Sequence, residues 1–341
     1  MNPREALINH FLKGTPWRSA QRHALNQDAS FRRYWRLELR GKTAMLMDAP
    51  PPEKPVTVFA DIANFLRNKG LTAPAIYNID EANGLMLIED FGDDTFTRIL
   101  KNDPAQENAL YDLAIDTLVQ LHQIPSIEGL SLAPYDTATH ITEAQLFTEW
   151  FYPAISNTPA SSRQITQFAD AWRIAFEKLP PHPQVLVLRD YHVDNLMRLR
   201  QNEQSNRCGL LDFQDALMGS PAYDLMSLIE DARRDISTEL KDRCLLRYFS
   251  AMAKQDDWPS QKQLSPWLNV LAAQRHAKVL GIFVRLYKRD NKVNYLEHLP
   301  RVLALYTAAL EREPALYAVL QWMAEHLPPE TIDIERISAA N

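Results

Sequence analysis

The chain of 341 residues exceeds the usual size of a single compact core, so two lobes are the natural expectation. A content of 46% hydrophobic and 23% charged residues, with seven Trp and no repetitive tract, excludes a disordered or fibrous chain. A formal net charge of −6 argues against a dedicated nucleic-acid binder, which needs a basic face, but leaves room for one nucleotide at a local site.

Glycines are scarce (9) and prolines plentiful (22), so the prolines punctuate best. Leu7, Ile8, Phe11 and Leu12 form one stripe of a helix over residues 3–13. This stretch lacks the apolar core of a signal peptide, and no window of the sequence approaches a membrane span. Tyr34 to Leu39 and Thr43 to Met47 read as two strands joined by a turn at Arg40-Gly41-Lys42. Pro50, Pro51, Pro52 and Pro55 end that unit, and a helix from Val56 to Asn68 follows, stopped by Gly70. Ala75 to Ile79 and Leu85 to Glu89 are two further strands around Asn83-Gly84. The polar, glycine-containing segment Asp90-Phe91-Gly92-Asp93-Asp94 is the expected hinge.

Beyond it the pattern turns helical: 108–122, 144–154, 164–178, 223–232, 239–253, 267–287 and two last segments carry the helical period. Val185 to Leu188, Leu196 to Arg198 and Gly209 to Leu211 are short strand-like exceptions. The expectation is therefore an α+β protein with a β-rich lobe over 1–90, a hinge over 91–95 and a helical lobe over 96–341. Cys208 and Cys244 have no second pair to complete a thiolate metal site and read as free thiols in a reducing cytoplasm.

The strand exceptions hold the polar residues that carry chemistry. The apolar run Leu186-Val187-Leu188 delivers Arg189-Asp190-Tyr191-His192-Val193-Asp194-Asn195, and Gly209-Leu210-Leu211 ends in Asp212-Phe213. Phosphoryl transfer needs a carboxylate that orients or deprotonates the acceptor hydroxyl, and oxygen ligands that hold Mg²⁺ against the phosphates. Asp190 can supply the base, and Asn195 and Asp212 the metal ligands.

These residues resemble the aminoglycoside phosphotransferase and choline kinase-like superfamily, relatives of the protein kinases, over roughly residues 25–285. The superfamily's H-G-D-x-H-x-x-N loop is matched by Asp190, His192 and Asn195, and its apolar I-D-[FW] strand by Leu211-Asp212-Phe213. Its G-x-P-x-x-D-L segment is matched by Gly219 to Leu225, where the resemblance implies that Asp224 braces the catalytic loop. The implied fold is a two-lobed protein-kinase-like one, with ATP as co-substrate and Mg²⁺ as cofactor. Gln27 to Tyr34 looks like the phosphate-covering loop, so Ser30, Phe31, Arg32 and Arg33 are nucleotide-binding candidates. Glu89 and Phe91 lie in the segment whose backbone pairs with adenine.

Two family features are absent. Leu188-Arg189 replaces the residues before the catalytic Asp, including the usual histidine, and Met47 stands near the strand position of the phosphate-binding lysine. Either Arg32 or Arg33 takes over that charge, or Mg²⁺ holds the triphosphate alone.

Within the superfamily, Ala29 to Leu37, Met47 to Pro51, Leu188 to Leu196 and Leu280 to Tyr287 resemble the bacterial anomeric N-acetylmuramate/N-acetylglucosamine kinases of cell-wall recycling. The resemblance implies transfer to the 1-hydroxyl of the amino sugar, giving the α-1-phosphate. His192, Glu149, Trp150, Arg275 and Arg285 are the candidate sugar ligands, an arginine suiting the lactyl carboxylate of N-acetylmuramate. Aminoglycosides and choline are cationic rivals, disfavoured by the basic run Arg275, His276, Lys278, Arg285, Lys288 and Arg289. A silent ATP-binding regulatory module is the rival from another class; it predicts nucleotide binding without phosphorylated product. A protein kinase is disfavoured by the lack of an Ala-Pro-Glu segment. The expected partners are the sugar and ATP, with neither nucleic acid nor membrane, and the expected state is a monomer.

Overall fold

The computed structural model describes residues 3–25, 32–52, 55–200 and 206–339. The chain opens with α1 (Pro3–Lys13), β1 (Gln21–Ala24), β2 (Arg33–Leu39), β3 (Lys42–Asp48), α2 (Val56–Asn68), β4 (Ile76–Asp80) and β5 (Leu85–Ile88). Helices α3 (Phe96–Asn102), α4 (Glu107–His122), α5 (Thr137–Ala144), α6 (Tyr152–Ser156) and α7 (Ser162–Glu177) follow, and then strands β6 (Val185–Val187), β7 (Leu196–Arg200), β8 (Asn206–Leu210) and β9 (Leu217–Gly219). The rest is helical: α8 (Ala222–Ile229), α9 (Thr238–Met252), α10 (Gln261–Asp290), α11 (Leu299–Arg312), α12 (Tyr317–His326) and α13 (Glu335–Ala339). This is the α+β class expected, with the sheet in the N-terminal region and helices dominating the C-terminal part.

The chain forms two compact units. Unit 1 comprises 1–131 and 193–215, and unit 2 comprises 132–192 and 216–341. The division in chain order anticipated from composition runs differently, because 96–131 and the β7–β8 hairpin belong with the sheet.

Unit 1 is built on an antiparallel sheet of order β1-β2-β3-β5-β4. The β2–β3 turn needs only Arg40 and Gly41, both with positive φ (53° and 73°), the conformation of a two-residue hairpin loop whose twist matches its strands. Alternation then sorts the side chains. Leu37, Ala44, Leu46, Leu85 and Leu87 face α1 and bury its Ile8, Phe11 and Leu12. Each of the buried Leu, Ile and Phe side chains contributes on the order of 1.5–3 kcal/mol. Asp48 shares that face, fully buried, and accepts from Arg4 of α1 and from Arg33 Nη2 at 2.8 Å. The opposite face of β2 and β3 carries Tyr34, Arg36, Met45 and Met47, with Tyr34 paired to Met47 and Arg36 to Met45. Gly84, at φ 63°, closes the β4–β5 turn; a Cβ there would lie 2.0 Å from the Ala49 carbonyl oxygen. The β7–β8 hairpin is tied in by Arg198 N–H donating to Asp94 O (2.9 Å) and Leu210 N–H to Thr72 O (2.8 Å).

In unit 2, β6 pairs with β9, Val185 opposite Gly219, and helices surround the pair. α10 runs 30 residues, starting earlier than its apolar period indicates because Ser260 and Gln263 form a capping box ahead of Pro266. The helix expected over 144–154 is interrupted: Phe147–Phe151 is a π-helical turn leading into α6. Gly281 of α10 meets it so closely that a Cβ would lie 2.2 Å from Leu146 O. Replacing Gly281 by Ala is expected to cost about 2 kcal/mol or more, since rigid backbone and not a mobile side chain must give way. Chemical denaturation checks this by a lowered midpoint at unchanged slope.

Candidate active site

The loop that carries Asp190, the candidate base, hangs in unit 2 from the buried strand β6. Its two first amides, Leu188 N–H and Arg189 N–H, donate to the Asp224 carboxylate at 2.6 and 2.8 Å. Asp224 stands in the first turn of α8, delivered there by β9, the partner of β6. It is fully buried; burial pushes its carboxyl up to about 7, against the opposing pull of the two amides and Arg275. Arg189 holds φ 74°, a left-handed conformation that a non-glycine residue adopts only under such constraint.

Asp190 follows, with its side chain 38% exposed. Burial raises its carboxyl, but Arg275, Lys278, His192 and Arg189 outweigh that and hold it below the usual carboxylate range. Asp190 is therefore an ionised acceptor at neutral pH. Arg275 sits in different company from the sugar ligand expected of it. Its Nη1 donates to Arg189 O (3.0 Å) and Tyr223 Oη (3.3 Å), and its Nη2 stands 3.6 Å from Asp190 Oδ1. At 7% side-chain exposure it positions the loop. His192 is also buried; burial depresses its pKa within the field of Asp231, Arg233, Asp190 and Arg275.

A hub that the sequence did not single out stands behind Arg189. Glu143 of α5 accepts from Arg189, Tyr135 Oη and Lys278 Nζ (2.9 Å), and Gln274 Nε2 lies at 3.4 Å. The Arg189 guanidinium also lies over the Tyr135 ring at 5.3 Å. Arginine at the position of the motif's glycine, with Leu188 at that of its histidine, thus comes with its own carboxylate and aromatic partner. Of the remaining sugar candidates, Glu149 is exposed on the π-helical turn beside Trp150, whose Nε1 is buried with no hydrogen-bond partner among the described residues. Arg285 is half-buried, and its Nε likewise lacks a partner among the described residues. Its pKa is depressed by burial and by Arg289, with Glu149 opposing.

Unit 1 carries the metal candidates. Leu211 N–H donates to Asn195 O (3.0 Å), joining the two ends of the hairpin, and Asp212 follows, exposed and in the left-handed region at φ 56°. Phe213 is buried and stacks on Phe59 of α2 at 4.8 Å, which anchors Asp212 from the next residue. Gln214 Nε2 donates to Asp212 Oδ1 at 2.7 Å, and its own buried Oε1 has no partner among the described residues. Among the described residues no group of three His, Cys, Asp or Glu side chains gathers to hold a metal by itself. One exposed carboxylate and one amide oxygen donor fit Mg²⁺, a hard cation that takes few protein ligands and completes its shell with phosphate and water.

Of the nucleotide candidates, Ser30 and Phe31 lie outside the described residues. Arg32 is 7% exposed at the entry to β2, and Arg33 is on the α1 face with Asp48. Glu89 Oε2 accepts from Ala75 N–H (3.1 Å) and faces Arg67 Nη1 at 3.5 Å. Phe91 packs on Gly209, where a Cβ would meet its ring at 2.9 Å. Sequence reasoning passed over Arg36, which holds this segment: Nε pairs with Asp90 (2.7 Å), and Nη2 reaches Asp93 (2.9 Å) and Gly92 O (3.0 Å).

Solved structures of the same fold are phosphotransferases of the protein-kinase-like type. A choline/ethanolamine kinase family protein from Mesorhizobium loti aligns over 94% of this chain and 99% of its own, with TM-score 0.60 at 13% identity. A putative aminoglycoside phosphotransferase from Ralstonia eutropha aligns over 93% and 97%, with TM-score 0.63 at 13% identity. Residues 22–264 match the phosphotransferase enzyme family, and the chain belongs to that family. Among its relatives, an N-acetylmuramate/N-acetylglucosamine kinase of Caulobacter vibrioides is 32% identical, across 96% of this chain and 98% of the relative. A protein of the same name from Neisseria meningitidis is 34% identical, across 86% and 87%. The chain is accordingly an ATP-dependent phosphotransferase. Among the described residues no helix is long and apolar enough to cross a membrane.

The Glu143 hub has a pH signature. Burial alone would raise its carboxyl, but Lys278, Arg189 and the Tyr135 hydroxyl bring it down to about 2, from an ordinary 4.5. A folded-state value below the unfolded one contributes stability above about pH 4.5 that is lost as pH falls toward 2. Glu143→Gln is expected to flatten stability against pH in that window, as measured by urea midpoints at stepped pH.

Proposed function

We propose that this phosphotransferase moves the γ-phosphate of ATP to the anomeric hydroxyl of N-acetylmuramate, N-acetylglucosamine or both, giving the sugar α-1-phosphate for cell-wall recycling in the cytoplasm. The observation that carries the reading is the agreement of four relatives of that name, at 32–34% identity over 85–96% of this chain. The structure adds compatible chemistry. The 1-hydroxyl of a hemiacetal is more acidic than an ordinary alcohol, so an ionised carboxylate held below its usual range has a modest task. Asp190 accepts the hydrogen bond of that hydroxyl and takes its proton as the oxygen bonds to the γ-phosphorus. The bond from phosphorus to the β,γ-bridging oxygen breaks, and ADP leaves with the electron pair. Arg275 and Asp224 keep the base in place from behind. Asn195 and Asp212 would hold Mg²⁺, which supplies charge neutralisation at the phosphates when bound. Arg285 of α10, in the field of Glu149 on the π-helical turn, is the acceptor-side group suited to the lactyl carboxylate, and Trp150 on the same turn is a further sugar-side candidate.

Two measurements test this. ³¹P NMR with ATP, Mg²⁺ and each sugar should show a new sugar 1-phosphate resonance. Asp190→Asn should lower turnover about 100-fold or more while ATP binding stays near wild type. A product from kanamycin or choline in place of the sugars would overturn the acceptor. ATP binding with no product from any acceptor would favour a silent nucleotide-binding module. Asp212→Ala should shift the Mg²⁺ dependence of ATP binding to higher concentration, and an unchanged dependence would remove Asp212 from the metal.

A further inference from the structure

The residue near the strand-lysine position is Met47, fully buried in β3, and the groups around it show what stands in for the missing charge. Alternation along β2 puts Arg33 on the α1 face, where it pairs with Asp48 at 2.8 Å alongside Arg4. The same alternation puts Tyr34 and Arg36 on the Met47 face, and carried one residue ahead of the strand it puts Arg32 there too. Arg36 is committed to Asp90 and Asp93. Tyr34 pairs directly with Met47 across the strands, and its hydroxyl donates to Met47 Sδ at 3.2 Å. Burial pushes the Tyr34 phenol up to about 12, with Arg32 opposing and Asp212 adding to the shift, so both charges act on that hydroxyl.

In protein kinases the strand lysine pairs with a helix glutamate, and α2 of this chain contains no glutamate. α2 turns Phe59, Ile62, Ala63 and Leu66 inward, and its one acid, Asp61, is exposed. An ammonium at position 47 would be buried with no counter-charge from α2, whereas a thioether suits the apolar site.

We infer that Arg32, and not Arg33, is the cation that binds the triphosphate in place of the strand lysine, with the Tyr34 hydroxyl beside it as a neutral donor. The inference rests on the reading of the chain as an ATP-dependent kinase and deepens it, by assigning the phosphate charge to one of two neighbouring arginines. An arginine offers a fork of donors to phosphate oxygens where a lysine offers a point charge.

Titration calorimetry of the full chain with ATP and with adenosine, in Mg²⁺, separates the possibilities. Arg32→Gln should weaken ATP about tenfold to a hundredfold and leave adenosine within about threefold, since adenosine presents no phosphate. Arg32→Lys should recover most of the ATP loss. Arg33→Gln should lower the melting temperature by breaking the Asp48 pair, yet keep the ATP-to-adenosine affinity ratio. Equal losses for ATP and adenosine in Arg32→Gln would show a merely structural residue and overturn the inference. So would a loss of the ratio in Arg33→Gln that matches Arg32→Gln. Should Arg32→Gln fail to fold, an Arg32→Lys variant with the wild-type ratio supports the inference, and one that loses the ratio while still binding adenosine overturns it. A wild-type chain that binds neither ligand would fail at the kinase reading itself, and the inference would fall with it.

Discussion

Two backbone amides share one buried carboxylate, and the loop that carries Asp190 depends on that contact. Asp224 has lost its water to the interior, and the hydrogen bonds that compensate come from Leu188 and Arg189, the residues leading into Asp190. A buried carboxyl of this kind is tolerated because its partners are held in place: β6 and β9 are hydrogen-bonded, and α8 begins just after β9. The left-handed turn at Arg189 is the local cost of aiming the next side chain outward. Without the carboxylate, two amides would be stranded and the turn would relax.

Around that contact the charges in unit 2 are layered. Glu143 neutralises Arg189 and Lys278, and Arg275 is shared between the Arg189 carbonyl, the Tyr223 hydroxyl and Asp190. The surplus of cations nearest Asp190 keeps it ionised although burial favours the neutral acid. In the proposed reaction, a carboxylate with its proton already removed is ready to accept one from the acceptor hydroxyl.

How much of this was legible in the sequence varies residue by residue. Asp190 and Asp212 stood out because phosphoryl transfer calls for carboxylates in polar segments that follow short apolar strands, whereas Asp224 was legible only through the resemblance of Gly219 to Leu225 to the superfamily's G-x-P-x-x-D-L segment. α1 and α2 were readable from period alone, since each buries one stripe. β1 was not, because its four residues are all exposed and carry no alternation. β9 has only three residues, and the π-helical turn hides inside an apolar helical pattern. The role of Arg275 could not be read, since its partners at Arg189 and Tyr223 are 86 and 52 positions away. Glu143 looks like any helix-surface acid until folding brings Arg189 and Lys278 to it. Arg33 and Arg32 are adjacent and alike in composition, and only strand alternation separates them.

The helix α1 has a protective consequence for the molecule. Its Ile8, Phe11 and Leu12 cover an apolar sheet face that would otherwise meet water over β2, β3 and β5, and its Arg4 screens Asp48. Trimming or replacing the first dozen residues would uncover a sticky, strand-rich surface and take Arg4 away from Asp48, which would keep its pair with Arg33. The yield of soluble protein would then suffer before catalysis did, so a fusion partner belongs where it leaves this helix able to lie down.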